Sequence, residues 1–90
     1  MTKIHKSVAL ALMATYQQHI TIAGNSHNRL TLAKHYVELC IFADTSSEIL
    51  QYGGILIKLG VMSEDIKYDF YSHDDTTRDF HTITITINIE

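Results

Sequence analysis

Phe80-His81-Thr82-Ile83-Thr84-Ile85-Thr86-Ile87-Asn88-Ile89-Glu90 alternates isoleucine with threonine or asparagine over most of its length. A period of two sends successive side chains to opposite faces, so this stretch reads as a β-strand with one buried and one polar face. Just upstream, Ile66, Tyr68 and Phe70 alternate with Lys67, Asp69 and Tyr71 in the same way. The two runs form a hairpin, and its register follows from the pattern. Placing Ile66, Tyr68 and Phe70 on the isoleucine face pairs them with Ile85, Ile83 and His81, around a short loop centred on Asp75-Thr76. A slip of one residue would turn every isoleucine to the wrong face. The same register sets Tyr71 opposite Phe80 on the outer face. The second strand overhangs the first, so its last residues need another partner.

Upstream of the hairpin the period changes. In residues 2–18, Ile4, Val8, Leu12 and Tyr16 recur every four positions, which marks one face of a helix. His19-Ile20-Thr21-Ile22-Ala23 alternates again and reads as a short strand closed by Gly24-Asn25, available to pair with the overhang. Residues 28–43 carry Leu32, Tyr36, Leu39 and Ala43 at helical spacing, widened by Ala33, Val37 and Cys40, and read as a second helix. Thr45 and Glu48 stand in capping-box spacing, which starts a third helix near Ser46. It reaches Leu59, with Gly60 as its stop. Gly53-Gly54 inside it favours either a close neighbour packed on the helix or an earlier end followed by a strand over 55–59.

The fold expected is a single α+β domain spanning residues 1–90. Three helices precede a β-hairpin in the order α-β-α-α-β-β; the alternative is two or three helices on a three- to four-stranded antiparallel sheet. That order resembles a winged helix-turn-helix domain. Leu56-x-x-Leu59-Gly60-Val61 resembles the end of a recognition helix turning into the wing, and Asp75-x-x-Arg78 with Ile83-Thr84 resembles the return strand of a bacterial winged-helix regulator. The resemblance implies DNA binding, with the third helix in the major groove and the wing on the backbone. The sequence departs from that pattern at the contact positions. Residues 46–59 offer Gln51, two serines and Lys58 beside Glu48. Residues 61–90 carry seven acids against Lys67 and Arg78, a local charge of −5, whereas residues 1–60 carry five bases against three acids. A wing of that charge repels phosphate.

Composition closes off other classes. Hydrophobic residues make up 46% and charged residues 19% of the 90, an ordinary globular balance. The long uncharged stretch from Ser7 up to Arg29 is broken by Gln17, Gln18, His19, Asn25 and Asn28, unlike a membrane span. Lys3 and Lys6 precede an apolar run, but Tyr16, Gln17 and Gln18 follow where a signal peptide would be cleaved, so a cytoplasmic protein is expected (host cytoplasm if a phage encodes it). Cys40 is the single cysteine, flanked by Leu39 and Ile41, and reads as a buried, inert thiol. The six histidines give no chelating pair at helical spacing: His5, His19, His27 and His35 are too far apart, and His73 and His81 point to opposite faces. No metal and no cofactor are expected. Gly53-Gly54 lacks the Lys-Ser/Thr of a phosphate loop, Asp74-Asp75 sits at a loop tip, and His35 and Cys40 fall on differing helical faces. No catalytic residue emerges, and the chain is expected not to be an enzyme.

What remains is a surface. Glu64, Asp65, Asp69, Asp74, Asp75 and Asp79 form an acidic ridge on the hairpin, with Tyr71 and Phe80 as an aromatic centre, suited to a protein partner with a basic surface. Small size, missing chemistry and this ridge point to a non-enzymatic regulator or inhibitor of the kind phages and mobile elements encode, such as an anti-defence protein covering a partner's nucleic-acid-binding surface. The alternative is a dimeric winged-helix regulator that contacts DNA through Lys3, Lys6, Arg29, Lys34 and Lys58. Thr84, Thr86, Ile87 and Ile89, on a strand read as an open edge without proline or charge, are one expected homodimer contact, and an apolar face of the first helix is the other.

Overall fold

A computed structural model of the chain describes residues 3–72 and 79–90. Its elements run α1 (Lys6–Ile22), β1 (Asn28–Leu32), β2 (Tyr36–Ala43), α2 (Ser46–Lys58), a 3-10 turn (Ser63–Asp65), β3 (Ile66–Tyr71) and β4 (Phe80–Asn88). The four strands make one antiparallel sheet in the order β1-β2-β4-β3. Both helices pack on one face, where Val37, Leu39 and Ile41 of β2 and Ile83 and Ile85 of β4 meet Met13 and Ile20 of α1 and Ile49 and Leu56 of α2. The other face carries no helix among the described residues. Among the described residues the chain is therefore α+β with two helices on a four-stranded antiparallel sheet, as in the alternative expected from the sequence, and the three-helix order is corrected.

The hairpin register is as the isoleucine pattern requires: Ile66 pairs with Ile85, Tyr68 with Ile83, Phe70 with His81 and Tyr71 with Phe80. Its expected loop at Asp75-Thr76 lies outside the described residues. The overhang of β4 is paired by β2, from Tyr36 opposite Asn88 to Ala43 opposite His81, and not by residues 19–23. Ile4 adds a parallel bridge to Ile89.

The second expected helix, over 28–43, is instead the β1–β2 hairpin. Its helical-looking spacing is overridden by a stricter period of two, because Val37, Leu39, Ile41 and Ala43 are buried while Tyr36, Glu38, Cys40 and Phe42 are not. The turn had no signature to announce it. Ala33 N donates to Tyr36 O at 2.9 Å across Lys34-His35, with no residue at positive φ, so none of the Asn-Gly or Asp-Gly pairs of a two-residue hairpin is needed.

The strand expected at 19–23 is the last turn of α1. Gly24 ends it at φ +107°, with Asn25 N donating to Ile20 O at 3.1 Å and Gly24 N to Thr21 O at 3.0 Å. That is a Schellman ending, which glycine accommodates because it lacks the Cβ that disfavours positive φ. Gly60, at φ +100°, closes α2 through the same pair of bonds from Val61 to Leu56 and Gly60 to Ile57. The buried stripe of α1 is Ala9, Met13, Tyr16 and Ile20; of the stripe expected at Ile4, Val8, Leu12 and Tyr16, Tyr16 is buried and Ile4 packs partly on the core, while Val8 and Leu12 face solvent.

α2 starts as the capping box requires, with Thr45 Oγ1 accepting from Glu48 N at 3.2 Å. Gly53 lies inside the helix because Tyr68 of β3 packs on it: a Cβ there would collide with the phenolic hydroxyl, and Tyr68 Cζ would stand at 3.1 Å. The neighbouring Gly54 meets nothing within 4 Å. Gly54→Ala is therefore expected to raise stability by about 0.5–1 kcal/mol through helix propensity and a less flexible unfolded chain. Gly53→Ala gains the same propensity but must displace Tyr68, so it falls well short of that gain. Paired urea titrations decide this, and equal gains from both would mean that Tyr68 does not rest on Gly53.

No helix among the described residues is long and apolar enough to cross a membrane.

Candidate interaction surface

The uncovered sheet face is built by the residues between the buried ones. Glu38, Cys40 and Phe42 of β2 stand beside Thr86, Thr84 and Thr82 of β4, and β3 adds Lys67, Asp69 and Tyr71. At the hairpin end this face becomes aromatic. Tyr71 and Phe80, directly opposite in register, stack with centroids 5.1 Å apart and planes at 22°. Phe42 reaches Phe80 from the other side, 5.9 Å away and tilted by 50°. Aromatic contacts in this range contribute about 0.5–1.5 kcal/mol beyond burial. Thr82, flanked on this face by Phe42, Asp69 and Phe80, is only 3% exposed although no helix covers it. Tyr71 stays 46% exposed, an accessible aromatic at the edge of the cluster.

Beside the cluster lies an open groove of about 600 Å³, whose walls include Asn25, His27, Arg29, Asp44, Glu48 and Phe80. Asn25 holds its floor. This side chain, 4% exposed, donates from Nδ2 to Phe42 O at 2.9 Å and accepts at Oδ1 from His27 N at 2.7 Å. Phe42 N in turn donates to His27 O at 2.8 Å, and Asn28 Nδ2 donates to Asn25 O at 3.0 Å. The α1–β1 connection is thereby tied to the end of β2, which positions Phe42.

Tyr71 and Phe80 lie together as the register requires, with Asp69 on the same face and Asp79 exposed next to Phe80. Asp74 and Asp75 lie outside the described residues. Glu64 and Asp65 sit in the 3-10 turn at the other end of β3, on the order of 20 Å along the strand from Asp79. Among the described acids, Glu64 and Asp65 thus lie at one end of β3, while Asp69 and Asp79 lie toward the other. Phe42 was missed because it was read as part of a helix; the alternation from Val37 to Ala43 was the signal that would have set it on this face.

Thr84, Thr86, Ile87 and Ile89 do not lie on an open edge. β4 is interior, paired along its length by β2 and over Phe80–Ile85 by β3, and Ile89 is 2% exposed. The dimer contact expected through this strand is corrected on that ground. The five bases of the DNA-binding alternative are dispersed as well. Lys3 and Lys6 flank the start of α1, Lys34 occupies the β1–β2 turn and Lys58 ends α2, while Arg29 stands at the far end of β1.

Cys40 faces the uncovered side, half-buried, with Thr84 Oγ1 3.9 Å from its sulfur. Burial pushes its thiol pKa up, against the lowering effect of that hydrogen bond. Among the described residues no three His, Cys, Asp or Glu side chains gather as a metal site would require. His35 and Cys40, expected on differing faces of a helix, belong to the hairpin turn and to β2.

No protein-family model, curated protein or solved structure matches the chain.

Proposed function

We propose that this protein is a non-enzymatic interaction module, a regulator or inhibitor that engages a basic surface of a protein partner with the hairpin end of its uncovered sheet face. The observation that carries the reading is the layer formed by Phe42, Phe80 and Tyr71 on a face that no described element covers. Binding centres of this kind combine rigid aromatic anchors with a polar rim, and Asp69 and Asp79 supply that rim here. Aromatic side chains on an open sheet also suit single-stranded nucleic acid, which stacks its bases on them. The charge disfavours that ligand: among the described residues of this face Arg29 and Lys67 are matched by Glu38 and Asp69, leaving no excess of cations there to replace counterions.

The test is affinity capture from host lysate, with and without nuclease, followed by binding kinetics on the captured partner. Tyr71→Ala is expected to weaken binding by about tenfold or more, chiefly through faster dissociation, as loss of an anchor does. Asp69→Asn with Asp79→Asn is expected to slow association and flatten its salt dependence while changing dissociation less. Capture that disappears on nuclease treatment would replace the protein partner by nucleic acid. A partner bound equally well by Tyr71→Ala would remove this surface from the reading.

A further inference from the structure

β3 lies at the edge of the sheet. β4 pairs one of its sides, and among the described residues no strand pairs the other. Its sequence, Ile66-Lys67-Tyr68-Asp69-Phe70-Tyr71, contains no proline and no glycine to interrupt pairing. We propose that β3 pairs antiparallel with β3 of a second copy of this chain, across a two-fold axis at Tyr68, so that the two sheets become one.

The register follows from the charges. Symmetric antiparallel pairing keeps like faces together, so the residue on the axis faces its own copy and the others pair symmetrically about it. With Tyr68 on the axis, Lys67 faces the second copy's Asp69 and Asp69 faces its Lys67, both on the uncovered side. Ile66 faces Phe70 on the helix side. Moving the axis to Lys67 or Asp69 sets like charges against each other, which is unfavourable. A lone lysine on an edge strand ordinarily discourages pairing, but here an aspartate two residues away completes the match.

The apolar flank fits the same occupant. Tyr68 and Phe70 on the helix side of β3 are 45% and 56% exposed, unusual for aromatic residues that point toward the helix layer. Gly53 of α2 rests against Tyr68, and helical spacing puts Leu50 and Ile57 on that side of α2. Both are also exposed. A second copy joined at β3 covers this apolar strip with its own equivalent. β1, the other edge strand, offers no such match, since an axis at Leu30 sets Arg29 against Thr31 and an axis at Arg29 sets it against itself. Pairing β1 with β3 of the next copy would be head-to-tail and would not close at two. The β3 register also brings the second copy's Asp65 opposite Tyr71, returning to the aromatic cluster an acid that the single chain holds at the far end of β3.

The test is sedimentation equilibrium of the whole chain across a concentration series, with Lys67→Glu, Asp69→Lys and the double reversal. The unsubstituted protein is expected to dimerise reversibly. Each single reversal creates two like-charge pairs per dimer and is expected to weaken association by about tenfold to a hundredfold, and the double reversal should restore it. To separate assembly from folding, the second measurement uses the unsubstituted chain alone. Amide hydrogen exchange within Ile66–Tyr71 is expected to slow as concentration rises, whereas amides of β1 should not change. A monomer at every concentration, single reversals without effect, a double reversal that fails to rescue, or β3 amides indifferent to concentration would each overturn the proposal. These readouts need no partner protein, so they stand or fall separately from the proposed interaction function.

Discussion

Ile83→Ala is expected to lower the unfolding free energy by about 3 kcal/mol, within the range of 2–5 kcal/mol for truncating a buried isoleucine. Ile83 is fully buried in the central strand, between Ile41 of β2 and Tyr68 of β3 in the ladder, and under the helix layer. Alanine removes most of the side chain at a site with rigid neighbours on both sides, so a cavity persists and its lining loses dispersion contacts. A chain of this length has a total stability on the order of 5–13 kcal/mol, so a quarter or more of it would disappear. The control is Thr84→Ala, one residue on but on the uncovered face, where the hydroxyl makes a long contact to the Cys40 sulfur. That change is expected to cost less than about 1 kcal/mol. In urea titrations the midpoint of Ile83→Ala should fall sharply with an unchanged slope, while Thr84→Ala stays near the parent. The reverse order of costs would mean that the helices cover the other face of the sheet.

Asn25→Ala is expected to cost about 2–4 kcal/mol. The side chain satisfies Phe42 O and His27 N in a nearly water-free position, and each group left buried without a partner loses about 1–3 kcal/mol. Asn25→Asp separates the two bonds. A carboxylate still accepts from His27 N, but it faces the Phe42 carbonyl with a second oxygen where the amide had a donor. Burial and that repulsion both raise the carboxyl's folded pKa above its unfolded value. The sign follows: the protonated acid can donate to Phe42 O, so Asn25→Asp is most stable at acid pH and loses stability as pH rises through the folded pKa. Thermal unfolding of the parent, Asn25→Ala and Asn25→Asp at several pH values checks this. An Asn25→Asp protein that gains stability relative to the parent as pH rises would show that the amide does not donate to Phe42. Because Asn25 positions Phe42, either substitution should also loosen the aromatic cluster, visible as weaker near-ultraviolet circular dichroism.

The hairpin of β3 and β4 was legible from residues alone, register included. An alternation as strict as that of Ile83, Ile85, Ile87 and Ile89 leaves one buried face and permits no slip. The ends of α2 were legible for a similar reason: Thr45, Glu48 and Gly60 act on backbone groups within one turn, so their signals are local. Residues 28–43 were not. They satisfy helical and strand periods together, and the turn between their strands carries no glycine, asparagine or aspartate. Only the vacant side of β4 decides between the two, because eight residues of β2 complete its ladder and a helix could not. Residues 19–23 failed in the opposite sense. Their short alternation suggested a strand, but continuation of α1 places Ile20 in the core and lets Gly24 close the helix. The candidate site divides along the same line. Tyr71 opposite Phe80 is a pair within one hairpin, set by its register. Phe42 joins them only because β2 lies next to β4, and Glu64 and Asp65 stand apart from Asp79 because β3 extends between them. The pairing of strands distant in sequence carries a loop-closure cost and a packing gain that no local window of residues contains.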